Sequence, residues 1–92
     1  MGRWRRYDEA LEAFNETIRL DPNNAEVWCN KGTTLLFQSK YKEAVNFFDE
    51  AIRLDPNFAS AWNNKGIAFK ALMKTIEADA AFAKAKELGY TG

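Results

Sequence analysis

A shift of 34 residues superimposes this chain on itself, which restricts its fold to a tandem array of one short unit. Leu20-Asp21-Pro22-Asn23 recurs as Leu54-Asp55-Pro56-Asn57, and Ala25 and Trp28 recur as Ala59 and Trp62, with no gap. Between 7–25 and 41–59, twelve of nineteen positions are identical, far beyond chance. Between 25–58 and 59–92, eleven of thirty-four are, and the matches are mainly small, aromatic or aliphatic: Ala25, Trp28, Gly32, Ala44, Phe48, Ala51 and Leu54. Packing positions therefore dominate what is repeated.

The spacing within the unit is helical. Tyr7, Ala10, Leu11, Phe14 and Ile18 fall on one stripe, and Tyr41, Ala44, Val45, Phe48 and Ile52 repeat it. Asp-Pro-Asn ends each of these helices, because proline disfavours a helical residue before it. The stretch 25–37 is also helical, with Trp28, Leu35 and Leu36 supplying apolar surface and Gly32 at its middle. Glycine there costs roughly 1 kcal/mol against alanine. A closely packed neighbour would account for it, and the small Ala44 is the expected one, with Gly66 and Ala78 repeating the pair. The unit is thus a helical hairpin, and five helices are predicted: 6–20, 25–37 with 41–54, and 59–72 with 75–88.

Composition removes several classes of function. Thirteen Lys and Arg balance thirteen Asp and Glu, so no global field selects nucleic acid. With no His and one Cys there is neither an internal disulfide nor a recognisable metal site, and no cofactor is expected. A nucleophile with its base and a glycine-rich phosphate loop are missing too, so an enzyme is not expected. The paired acids Asp8-Glu9 and Asp49-Glu50 read as solvated helix faces, and Asp21 and Asp55 as turn residues. No apolar run reaches the roughly 18 residues of a membrane helix, and the expectation is a cytoplasmic chain without a membrane partner.

The residues resemble the tetratricopeptide family, whose pattern is Trp-x-x-Leu-Gly-x-x-Tyr, then Ala-x-x-x-Phe, then Pro. Trp28, Gly32, Ala44, Phe48 and Pro56 fit one repeat, Trp62, Gly66, Ala78 and Phe82 a second, and Ala10, Phe14 and Pro22 the back half of one before them. Lys31 and Lys65 stand where the pattern has Leu, Leu35 and Phe69 where it has Tyr, and Tyr90 where it has the last Pro. The resemblance implies an all-α, right-handed superhelical array of antiparallel hairpins. It would form a single domain with a half repeat at 6–24 and full repeats at 25–58 and 59–92.

In this family the first helix of each hairpin lines a concave face that binds extended peptides or helices. The resemblance places Glu26, Cys29, Asn30, Thr33 and Phe37 there from one repeat, and Ser60, Asn63, Asn64, Ile67 and Lys70 from the next. Asn30 and Asn64, one repeat apart, would bracket a peptide backbone, since an amide both donates and accepts. The bland alternative is that these amides bond between adjacent helices or to water. The family's carboxylate clamp needs Lys at the position held here by Cys29 and Asn63, so a chaperone-tail ligand is not expected. Lys31 and Lys65 read as packing positions whose ammonium groups snorkel outward.

A second function class is self-association. Tyr7, Ala10 and Phe14 lie on a helix without its own hairpin partner, and a continuous helix over 59–88 would send the last segment to another chain in a homodimer. The motive is the turn near 73–75, where Met73 and Thr75 replace Ser39 and Tyr41 and no glycine or proline intervenes. Ser39 and Thr75 are the expected helix caps. Trp28 and Trp62 read as hairpin core. Trp4 among Arg3, Arg5 and Arg6 reads as a frayed terminus, against a nucleic-acid or membrane contact. Cys29 reads as a small groove residue, with an exposed thiol joining two chains as the alternative. The partner is accordingly a protein or peptide, with a homodimer as the alternative.

Overall fold

The computed structural model describes residues 2–91, and side chains from Arg6 onward. It contains α1 (Gly2–Leu20), α2 (Ala25–Phe37), α3 (Tyr41–Leu54), α4 (Ala59–Ala71) and α5 (Thr75–Glu87). The alternative of a nucleic-acid or membrane contact by Trp4 beside Arg3 and Arg5 concerns side chains outside those described. Hairpins α2–α3 and α4–α5 pack most extensively, α3 joins them through α4, and α1 packs on α2. The chain is thus an all-α helical-hairpin array in which each helix meets its neighbours in sequence.

The recurring tetrapeptide makes one loop twice. Asp21 and Asp55 each accept a hydrogen bond through Oδ1 from the backbone N–H two residues on, at 3.4 Å from Asn23 and 3.2 Å from Asn57. The side chain thereby closes a turn that the proline has begun. The indole N–H of Trp28 donates to the Pro22 carbonyl at 2.7 Å, and that of Trp62 to Pro56 at 3.0 Å. Each tryptophan consequently locks the loop that precedes its own helix, while its ring packs in the hairpin; Trp28 stacks on Phe47 with centroids 5.6 Å apart. Asn24 caps α2 by accepting from the Val27 N–H at 3.4 Å. Phe58, one repeat later, has no capping side chain and packs against the core instead.

The core is built from Cys29, Leu35, Ala44, Val45, Phe48, Ala51, Ala61 and Ala68, continued along α5 by Ala78, Ala81 and Ala85. Phe48 is the large side chain fully withdrawn from solvent. Its ring, and not Ala44 as expected, is what Gly32 accommodates: a Cβ on Gly32 would lie 2.7 Å from Phe48 Cε1. Gly66 stands in the same relation to Phe82, with Cδ1 at 2.7 Å. The residue one turn beyond the small alanine reaches across the helix crossing, so the alanine supplies room and the phenylalanine makes the contact.

The hairpin read over 59–72 and 75–88 forms, with a reversal at Leu72–Lys74, and the alternative of a continuous helix over 59–88 is not adopted. Met73 adopts φ 63°, the Met73 N–H donates to the Lys70 carbonyl at 3.0 Å, and the Lys74 N–H donates to the Phe69 carbonyl at 2.9 Å. That is a Schellman motif, which satisfies the last carbonyls of α4. Ser39, at φ 64°, makes the same motif after α2, and Gly89, at φ 99°, makes it after α5. Neither Ser39 nor Thr75 is an N-cap: Lys40 and Lys74 hold those positions without a side-chain cap bond. Ser39 is itself the left-handed residue of its turn, and Thr75 is the first residue of α5, one position past the cap.

A left-handed backbone costs a residue with a Cβ roughly 1–2 kcal/mol, whereas glycine adopts it readily. Met73→Gly should therefore stabilise the chain by about 1 kcal/mol, since the methionine side chain is 86% exposed and contributes little packing. Urea unfolding monitored by circular dichroism should show a higher midpoint, and an unchanged or lowered midpoint would contradict this. Gln38, 7% exposed, has an Oε1 that accepts no hydrogen bond among the described residues. Its counterpart one repeat on is Leu72. An orphaned buried acceptor costs about 1–3 kcal/mol, so Gln38→Leu should raise stability by roughly 1 kcal/mol in the same assay.

Candidate peptide-binding face

On α2, Glu26, Asn30, Thr33 and Phe37 are spaced i, i+4, i+7 and i+11, which lays them along one stripe. On α4, Ser60, Asn64 and Ile67 are spaced i, i+4 and i+7, with Lys70 one turn further. The two stripes are tied together where the helices touch, because Asn64 Nδ2 donates to Thr33 Oγ1 at 3.3 Å. Thr33 in turn donates to the Cys29 carbonyl at 3.0 Å, one helical turn back. Amide, hydroxyl and carbonyl form a short relay across the contact of α4 with α2.

Around this relay Glu26, Asn30, Ser60, Ile67 and Lys70 are exposed, and Thr33, Asn63 and Asn64 are half-buried. The inter-helix bond expected as the bland role of these amides is thus made by Asn64, while the side chain of Asn30 stays open to solvent. Asn63 points elsewhere: it lines a cavity of about 650 Å³ with Phe82, Lys86, Gly89, Tyr90 and Thr91. Its counterpart Cys29 is 4% exposed because α4 covers it, and no helix follows α5 among the described residues to cover Asn63 in the same way. The exposed thiol considered for Cys29 is accordingly not formed. Burial pushes the thiol above its ordinary pKa, against the opposing hydrogen bonds of Thr33 and Asn64, and the charge of Glu26 adds to the rise.

Phe37 is 63% exposed and stacks on Tyr7 of α1, with ring centroids 6.3 Å apart and planes at 27°. It belongs as much to the α1 contact as to the α2–α4 face. Tyr7, Ala10 and Phe14 are half-buried on α1, whereas Met73 and Thr75 are exposed at the α4–α5 turn. α1 packs on α2 alone, so these five residues do not form one surface.

The two lysines expected to snorkel outward instead bridge successive units. Lys31 of α2 donates to Asn15 Oδ1 of α1 and lies 4.3 Å from the centroid of the Phe47 ring. Lys65 of α4 pairs with Asp49 of α3 at 2.6 Å and sits over Trp62 and Phe69. Burial holds the Lys31 pKa below its ordinary value, partly offset by the charge of Glu43. The pairs 15–31 and 49–65 are one contact repeated 34 residues on. The recurrence of Lys31 as Lys65 and the polar residue at 15 and 49 are its signal in the sequence.

These features define a helical-hairpin repeat protein with an open polar face on its first-type helices. The chain belongs to the tetratricopeptide repeat family: models of the repeat match residues 25–58, 6–38 and 47–80. The structure is similar to the first TPR domain of Spaghetti (RPAP3) bound to the HSP90 peptide SRMEEVD, with TM-score 0.90 and 26% identity over 94% of this chain and 68% of that one. It is likewise similar to the second TPR domain of that protein with the same peptide (TM-score 0.87, 30% identity, 95% and 82% coverage). The Arabidopsis OM64 TPR domain superposes with TM-score 0.90 at 26% identity, over 92% of this chain and 70% of that one. No curated protein matches the sequence. Among the described residues no helix is long and apolar enough to cross a membrane.

Proposed function

We propose that this chain is a non-catalytic protein-interaction module whose α2–α4 face binds an extended peptide or a helix of a partner protein. The observation that carries the reading is the Asn64–Thr33–Cys29 relay, which aligns two helices while leaving Asn30, Ser60 and Ile67 open beside it. A preset face loses little conformational entropy on binding. Two domains similar to this chain are solved with the HSP90 peptide SRMEEVD bound, which supports peptide capture as the mode. The ligand here is a different one, because Cys29 is buried and neutral, Asn63 is uncharged and Glu26 adds a negative charge, where an acidic tail needs cations.

A peptide-array screen followed by fluorescence anisotropy tests this. Near-neutral array binders should be weakened about tenfold by Asn30→Ala, as expected for loss of a hydrogen bond to a peptide backbone, and weakened also by Asn64→Ala, which removes the Thr33 bond joining α2 to α4. Binders unaffected by either substitution, or a preference for SRMEEVD over them, would refute the assignment. A second reading, self-association, is favoured by the aromatic surface of Phe37 stacked on Tyr7. Light scattering across a concentration series decides it: a dimer lost on Phe37→Ser supports it, and the mass of one chain throughout removes it.

A further inference from the structure

The edge where α3 meets the end of α4 carries a cleft apart from the face just described. It encloses about 300 Å³ and is lined by Val45, Phe69 and Leu72, with Lys42, Lys74 and Asn46. A second hollow of about 260 Å³ shares Lys42 and Leu72 and adds Lys40 and Glu43. Just beyond, Met73 and Ile76 are 86% and 84% exposed, and Ile76 occupies, one repeat on, the position of Lys42. Three ammonium groups therefore surround apolar surface at one edge of a chain whose overall charge is zero.

None of Lys40, Lys42 and Lys74 forms an ion pair among the described residues, and Glu43, the acid nearest to them in the hollow, interacts electrostatically with Lys31. The cleft lies at the lower end of the range for ligand sites, about 300–1,000 Å³, which suits a single large side chain. Its floor is apolar and recessed, with Val45 9% exposed. From this charge complementarity we infer that the α3–α4 edge is a second docking surface, for an acidic peptide segment that inserts one leucine or phenylalanine between Lys42 and Lys74. Its carboxylates pair with the lysines at the rim, and Met73 and Ile76 extend the apolar contact. An anionic membrane surface would engage the protruding Met73 and Ile76 but leave the recessed cleft of Val45, Phe69 and Leu72 unfilled, which favours an inserted side chain.

The probe is a labelled octapeptide of sequence EDLEDFEE, titrated into 15N-labelled protein. Amide shifts should cluster at residues 40–46 and 69–76. The double variant Lys42→Glu, Lys74→Glu should lower affinity at least tenfold without changing the helical circular dichroism, whereas Asn30→Ala, on the α2–α4 face, should leave it unchanged. That last arm separates this surface from the face proposed above. The inference is overturned by shifts confined to Asn30, Thr33 and Ser60, by equal affinity in the charge-reversal variant, by no shift at millimolar peptide, or by binding to phosphatidylserine vesicles in preference to the peptide.

Discussion

Phe48→Ala should lower the unfolding free energy by about 3–5 kcal/mol, the range found for emptying a fully buried phenylalanine site. The ring is 0% exposed, lies against Gly32 and belongs to the cluster joining α2, α3 and α4. Domains of this size are stable by about 5–15 kcal/mol, so the loss takes up a large share of the total and should lower the unfolding midpoint markedly. Phe82→Ala removes the equivalent ring from the last hairpin, but Phe82 is half-buried and the loss should be clearly smaller. Urea unfolding of both variants, followed at 222 nm, measures the difference. Equal losses would mean that the central hairpin is no better packed than the terminal one.

Gly32→Ala should cost about 1–3 kcal/mol through overpacking, even though alanine is roughly 1 kcal/mol better than glycine in a helix interior. The new methyl group would stand 2.7 Å from the Phe48 ring, which has no solvent side into which to retreat. Gly66→Ala creates the same approach to Phe82, but that ring is half-buried and can tilt outward, so the cost should be less than half as large. Adding Phe48→Leu to Gly32→Ala should recover part of the loss, because residues in direct contact couple by about 0.5–3 kcal/mol. A stabilised Gly32→Ala protein would show that helix propensity outweighs the clash.

The close approach explains why the glycine recurs. Yet the sequence pointed to Ala44 as the neighbour, since a small residue opposite a small residue is the simplest reading of two repeated positions. The crossing of α2 on α3 decides instead that Phe48, one turn along, fills the space, and crossing geometry is not encoded in either helix alone. Lys31 and Lys65 teach the same lesson. Their polar heads predicted solvent, and their partners Asn15 and Asp49 lie on the preceding unit, 16 residues away in each case. A similar limit applies on the α2–α4 face, where Cys29 and Asn63 occupy equivalent positions but only Cys29 is covered by a following helix.

The turn after α4 shows local propensity yielding to tertiary packing. Leu72-Met73-Lys74 contains good helix formers, and nothing in their identity demands a left-handed residue. The reversal is held by the Schellman bonds to the Phe69 and Lys70 carbonyls and by Ala78, Ala81 and Ala85, which are buried when α5 folds back on α4. Burial of that face outweighs the strain at Met73.

By itself the sequence determined the 34-residue unit, the helical hairpins, the starts of α2 through α5 and the family, because periodicity, proline punctuation and recurring Trp, Gly, Ala and Phe are local or strictly repeated signals. Only the tertiary structure decided which ring meets Gly32, which amide joins α2 to α4, where Lys31 and Lys65 bind, and that Met73 takes the left-handed position of the reversal. Those contacts depend on the angle and spacing at which separate helices meet, and their free energies arise only when both surfaces are present.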